Sequence, residues 1–326
     1  MLKKIVCFAT LVFSTAVFTS AQTPPQMIPQ AAPTPVDLEM ILTEAEKQIV
    51  NYQETFKDLL AIETKTFEEY DKNGNLDEET VIESNFLVYQ SAKDTNRAAE
   101  LRNVLKVDGK LIPDSQARAD RFLGELQKSK TLEKELEKIQ DEGLRYDKTI
   151  EITGFTLFEA ITLASNLRPY FDFKLVSTEN FEGNEVFVVS YQQTKKSPFI
   201  TIDEKVSSQP GFKADFDINL PGALKKNDKF LRGKLWIDAK TFQIWREERQ
   251  VTVQSNAVPL IAQETVFEYT PSEFGVLVPK RITFTDNRLK KISKDGGYNA
   301  VKDAKATFDY SKFKKTNVEV QIIDEP

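Results

Sequence analysis

Histidine is absent from this sequence, and its one cysteine, Cys7, lies inside an apolar run close to the N-terminus. These two shortages remove imidazole bases, thiolate nucleophiles, disulfides and nearly every zinc, copper or haem site, so neither a metal nor a cofactor is expected. Positive charge is also in short supply, with 44 Lys and Arg against 50 Asp and Glu. Nucleic acid and anionic membrane both select for clustered Lys and Arg and are disfavoured as partners. After the first apolar run, no stretch approaches the length of a bilayer-spanning helix, so an integral membrane protein is not expected.

What is present begins with Met1-Leu-Lys-Lys, an apolar run from Ile5 to Phe18, and then Thr19-Ser20-Ala21. That order of basic region, hydrophobic core and small-residue cleavage site is the pattern of an export signal. Residues 1–21 are read as a signal peptide cleaved near Ala21, which places the mature chain in the periplasm or outside the cell. No lipobox precedes Cys7, so no lipid anchor is expected. Losing Lys3 and Lys4 with the leader takes the formal net charge from −6 to about −8. An exported chain without disulfides must stabilise itself by core burial, and its 23 Phe, three of them in the leader, suit that need. Residues 22–36, rich in Pro, Gln and Ala, read as a linker, which leaves 37–326 as the folded domain.

From Leu38 the apolar residues Ile41, Leu42, Ala45, Ile49, Tyr52 and Phe56 recur at steps of three and four, which predicts a helix capped by Asp37 and ending near Lys57. The period then changes to two. Leu60 to Thr66, Thr80 to Ala92 and Ala99 to Val107 read as an antiparallel meander, turned at Asp71–Asn75 and at Asp108-Gly109. Residues 115–142 return to helix, with Phe122 and Leu126 on one stripe and Leu132, Leu136 and Ile139 on another. Thr156-Leu-Phe-Glu159 matches a capping box for a short helix through Phe158, Ile161 and Leu167, ended by Pro169. From Phe171 onward the chain reads as strand after strand, to Val318–Ile322. A long connection over 195–229 interrupts it, and such a connection is either functional or mobile.

At the centre of this run lies Leu231-Arg-Gly-Lys-Leu-Trp-Ile-Asp-Ala-Lys-Thr-Phe-Gln-Ile-Trp-Arg-Glu-Glu248. A four-residue reversal at Asp238–Thr241 predicts a hairpin with Ile237 opposite Phe242 and Leu235 opposite Ile244. One face is then apolar. The other carries Arg232, Lys234, Gln243 and Glu247, with Trp236 and Trp245 set diagonally among them as a candidate partner-binding surface or as packing under the helices.

The order helix, meander, helices, long antiparallel run resembles the LolA/LolB-like superfamily of lipoprotein carriers. The residues that carry the resemblance are Gly233-Lys-Leu-Trp-Ile-Asp238 with Ile244-Trp-Arg-Glu247, Asn180-Phe-Glu-Gly183 leading into Val186-Phe-Val-Val189, Leu277-Val-Pro-Lys280, and Phe308-Asp-Tyr310 with Phe313 and Val318. It is clearest over 170–322. The resemblance implies an α+β fold: a large, curved antiparallel sheet forming an open half-barrel covered by a few helices. It also implies a hydrophobic-ligand carrier, specialised members accepting the acyl chains of lipoproteins.

Chemistry-bearing motifs are thin. Asp71, Asn73, Asn75 and Asp77 suggest a calcium loop, but the twelfth position is Ile82, so a hairpin turn on Asn73-Gly74 is the reading. Ser311-Lys-Phe-Lys314 spells a hydrolase motif that needs a helix, and here it follows a strand. Glu247 and Glu248 alternate with Arg246 and Arg249 as expected cross-strand ion pairs of small worth. The face with functional content is apolar: Leu235, Ile237, Phe242, Ile244, Phe267, Ile282, Phe284 and Phe308 form the candidate ligand-binding wall. Three functions follow in order. The first is a soluble, non-enzymatic exported protein that binds an acyl chain or other hydrophobic ligand. The second is a cell-envelope protein-interaction module with a closed cavity. The third is a carboxylate-based hydrolase.

Overall fold

A computed structural model describes residues 37–57, 59–91, 94–115, 117–118, 120–121, 141, 143–147, 156, 160–202, 214–255, 258–292 and 297–315. Helix α1 spans Leu38–Phe56, and Asp37 caps it by accepting the Glu39 N–H at 3.1 Å. Its buried stripe is Ile41, Leu42, Ala45, Ile49, Tyr52 and Phe56, the set that the three-and-four spacing predicts. Each of the larger members contributes about 2 kcal/mol by leaving water.

The strands follow as β1 Leu59–Tyr70, β2 Leu76–Ser91, β3 Asp94–Val107, β4 Lys110–Leu111, β5 Phe171–Phe181, β6 Asn184–Gln193, β7 Ile200–Ile202, β8 Ala214–Phe216, β9 Lys229–Asp238, β10 Ile244–Ser255, β11 Val258–Pro271, β12 Leu277–Lys291 and β13 Tyr298–Lys315. Eleven of them form one curved antiparallel sheet in the order β4-β3-β2-β1-β13-β12-β11-β10-β9-β6-β5. β4 and β5 are its edges, and the sheet does not close. The fold is α+β, an open half-barrel whose concave face is covered by α1 and neighbouring segments. The first and last strands, β1 and β13, pair along their length near the middle of the sheet.

Several sequence expectations change in detail. In β1 the buried phase is Leu59, Ala61, Glu63, Lys65 and Phe67, opposite to the expected Leu60, Ile62, Thr64 and Thr66. The Asp71–Asn75 reversal is a hairpin turn in which Asp71 Oδ1 accepts the N–H groups of Asn73 and Asn75. The helical stripes Phe122, Leu126, Leu132, Leu136 and Ile139 lie outside the described residues, as does Val318–Ile322. Thr156 donates its N–H and hydroxyl to Glu100, and residues 157–159, over which the expected capping box runs, lie outside the described residues. Around it the described chain holds only short 3-10 turns, Ile161–Leu163 and Arg168–Tyr170, with Pro169 inside the second rather than ending a helix.

Within the 195–229 connection the strand expected over Phe199–Asp203 is present as β7, and β8, which the sequence reading missed, lies parallel to it in a small separate sheet. Ile200, Ile202, Ala214, Ile218, Leu220 and Leu224 are buried there, and Gln263 of β11 donates to the Asp217 carbonyl at 2.6 Å. These six side chains anchor the described part of the connection to the core.

Candidate functional site

The central hairpin turns later than its sequence suggests. Asp238 Oδ1 accepts the N–H groups of Lys240 and Thr241, and the Asp238 N–H donates to the Gln243 carbonyl. The register therefore sets Ile237 opposite Ile244 and Leu235 opposite Glu247. Phe242 leaves the strand altogether, with φ of 58° in the turn, so it is half-buried beside the wall rather than part of it. A bulge at Trp245 then shifts the parity of β10. This bulge brings Glu247, expected on the polar face, onto the inner wall, where it is fully buried.

Cross-strand registers run one inward row through Leu175, Val189, Leu235, Glu247, Phe267, Ile282, Phe308, Lys65, Ile82 and Val107, from β5 to β3. The next row holds Phe173, Tyr191, Gly233, Arg249, Thr265, Phe284, Ala306 and Phe67. Seven of the eight wall residues named from sequence thus share one surface, and all seven are buried.

Two ionic clusters interrupt this apolar wall. In the first, Arg102 Nε and Nη2 grip Glu63 at 2.7 and 2.9 Å, and Nη2 also reaches Glu100 at 2.9 Å. Burial opposes charge on Glu63, but the adjacent Arg102 and Lys65 outweigh it and hold its pKa below the ordinary value. Beside it Lys65 contacts both Asp147 oxygens at 2.8 Å. Burial, and then the charge of Arg102, pull the Lys65 pKa down, while burial pushes that of Asp147 up. In the second cluster Arg249 pairs with Glu247 at 2.9 and 2.8 Å, and the Tyr191 hydroxyl donates to the same carboxylate at 2.8 Å. Tyr191 reaches it by lying across Gly233, where a Cβ would stand 2.5 Å from the phenol. A glycine inside a strand marks such a close approach. The sequence signal for the first cluster is Glu63 and Lys65 in phase with Ala61 and Phe67.

These clusters hold covering segments onto the wall. Glu100 accepts both Thr156 bonds, Glu247 accepts the Ala160 N–H at 2.9 Å, and Tyr52 of α1 donates to the Thr156 carbonyl at 2.8 Å. Ala160 sits at φ 40°, a conformation that side chains other than glycine rarely adopt, next to the buried Ile161 and Leu163. Tyr52 meets Tyr269 edge-on, and Phe56 meets Phe86 and Phe313. Among the described residues, the space left under α1 beside Ile49, Tyr52 and Ile244 is only about 10 Å³.

A larger hollow opens at the β5 end. Leu38, Leu42, Pro169, Phe171 and Phe173 wall a notch of about 400 Å³, with Glu39, Ser165 and Arg168 at its rim. Arg168 is itself tied to Glu39 at 2.8 Å and Glu46 at 2.5 Å, which fastens the first turns of α1 to the segment before β5.

On the convex face Trp245 is buried and Trp236 half-buried, both against Phe181 at centroid distances of 6.5 Å. Trp245 Nε1 donates to Asp238, Trp236 Nε1 donates to Glu179, and Arg246 stacks on Trp236. Trp245 belongs to the main buried cluster, and Trp236 and Phe181 pack against it. The Arg246 pairs partly match expectation: Glu268 is cross-strand, Glu248 is on the same strand. Arg249 with Glu247 is neither cross-strand nor exposed. Ser311 and Lys314 lie on β13, not on a helix.

No family model and no curated protein matches the sequence. Solved structures similar to the chain include a DUF1329 family protein from Desulfovibrio piger, 9% identical, covering 85% of this chain and 94% of its own at a TM-score of 0.35. A LolA superfamily protein from Nitrosomonas europaea is 12% identical, covering 89% of this chain and 98% of its own at 0.32. The superfamily named from the sequence is thus among the matches. At these scores the functional argument rests on the side chains described above.

Proposed function

We propose that this protein is an exported, non-catalytic binding protein that takes an acyl chain or another apolar ligand into the notch at the β5 end and from there onto the inner wall. The notch carries the reading. Its volume falls in the range of small-ligand sites, its walls are aliphatic and aromatic, and the few polar groups sit at its rim. Each methylene buried there contributes about 0.8 kcal/mol. Deeper entry requires Thr156 and Ala160, which are bonded to Glu100 and Glu247, to move off the wall. A wall meant only to be filled would gain more from apolar residues at those positions. Export and residence in the periplasm or outside the cell follow from residues 1–21.

The second reading, an envelope interaction module with a closed cavity, is favoured by the tightness of the space under α1. One experiment separates the two. A fluorescent long-chain lipid probe is titrated into the mature protein and competed with a fatty acid, in parallel with a Phe173→Glu variant. Saturable, competable binding that Phe173→Glu abolishes is the expected result. Absence of saturable binding, with no lipid mass retained on protein isolated from its own envelope, would overturn the carrier reading in favour of the module.

A further inference from the structure

Just past the C-terminal end of β6 the chain forms a second hollow of quite different chemistry. About 420 Å³ in volume, it lies between the start of the long connection and the segment leading into β9, and among the described residues its lining includes Lys196, Lys225, Lys226 and Lys229 and one carboxylate, Asp228. Four ammonium groups around one pocket is unexpected in a chain of net charge −6, since repulsion among them favours spreading apart. Among the described residues, neither Lys225 nor Lys226 has an ion-pair partner.

The backbone under these lysines is fixed. The buried Gln193 accepts the Leu231 N–H at 3.0 Å and donates to the Lys195 carbonyl at 3.1 Å. Lys229 Nζ donates to the Lys225 carbonyl at 2.8 Å, closing the loop between them, and Asn227 Nδ2 ties that loop to the Gln254 carbonyl at 2.5 Å. Ser197 caps its own turn by accepting the Phe199 N–H. Lys225 and Lys226 are therefore cationic arms on an anchored frame, beside Lys196 and Lys229, an arrangement that suits a compact multivalent anion better than a planar carboxylate, which arginine forks recognise.

We infer that this lysine-lined pocket binds a phosphate group, either free in a small phosphorylated molecule or on the head group of a lipid. The inference goes beyond the apolar-ligand reading and survives its failure, because it shares no residue with the notch.

The test uses the mature chain with two probes: soluble glycerol phosphate followed by calorimetry, and vesicles of phosphatidylglycerol against phosphatidylcholine followed by co-sedimentation. Lys225→Gln/Lys226→Gln removes two exposed charges and leaves the anchoring bonds, and Lys290→Gln/Lys291→Gln makes the same charge change elsewhere. Saturable binding of glycerol phosphate, weakened at least tenfold in the first variant and unchanged in the second, supports the site with a small phosphorylated molecule as source. Binding only to phosphatidylglycerol vesicles, with the same dependence on the two variants, supports it with a head group as source. Binding to neither probe overturns the inference, and so does binding that both double variants weaken alike or that neither weakens.

Discussion

Replacing Arg102 by Met tests whether the inner wall is as dry as its ionic clusters imply. Arg102 neutralises two carboxylates, Glu63 and Glu100, whose side chains are completely buried. Removing only the cation strands both. Breaking a buried pair in this way costs about 3–5 kcal/mol, and at about 2 °C per kcal/mol for a chain of this size the midpoint of thermal unfolding should fall by about 6–10 °C. The pH dependence gives a second reading. In the native protein Arg102 and Lys65 hold Glu63 below its ordinary pKa, so its contribution is present above the unfolded value and lost only as the pH falls through the lower folded one. Without Arg102, burial prevails and raises the folded pKa, so the variant should regain more stability than the native protein does between about pH 7 and pH 5. Converting all three residues, Arg102→Met with Glu63→Gln and Glu100→Gln, should recover most of the loss. Differential scanning calorimetry at the two pH values reads each outcome. A loss below about 1 kcal/mol for Arg102→Met, with no recovery at pH 5, would mean that water already reaches the cluster and that the wall is not sealed.

Other outcomes follow from neighbouring residues. Gly233→Ala should destabilise by about 3 kcal/mol, because the added methyl meets the Glu248 carbonyl as well as the Tyr191 phenol; urea titration measures this, and the tryptophan fluorescence should shift with it. Thr156→Val removes one of the two bonds from Thr156 to Glu100, should cost about 1–2 kcal/mol, and should tighten binding of the lipid probe as Thr156 loosens from the wall. Asp286 has its pKa raised from 3.8 to about 6, by burial first and then by the charges of Asp303 and Asp217, so its ionisation weakens the fold as the pH rises from about 4 through 6. Asp286→Asn should therefore stabilise the protein at pH 7, by at most about 3 kcal/mol, and flatten the melting profile over that window.

Much of this architecture can be read from spacing. The α1 stripe, the strand runs and the inward sense of seven wall residues all follow from periods of 3.6 and 2. Register cannot be read in the same way. The Asp238 side chain gathers a longer turn than its four-residue appearance suggests, and the bulge at Trp245 then inverts the expected face of Glu247. A single extra residue is enough to move a charge from solvent to core. Thr156 likewise meets a carboxylate 56 residues away, which accepts from both its N–H and its hydroxyl. Long-range polar partners leave no local trace. Tyr191 and Gly233 became visible as a pair only when β6 and β9 lay side by side.

The seam between β1 and β13 carries a consequence for biogenesis. Residues 59–69 find their partners at 304–315, so the strand made first cannot be completed until the strand made last is available. Closing so long a loop is slow, and a chain threaded across a membrane from its N-terminus would remain two unjoined leaves until its tail emerged. If the chain is exported as proposed, such a sheet is compatible with translocation by its own wiring and locks only after delivery.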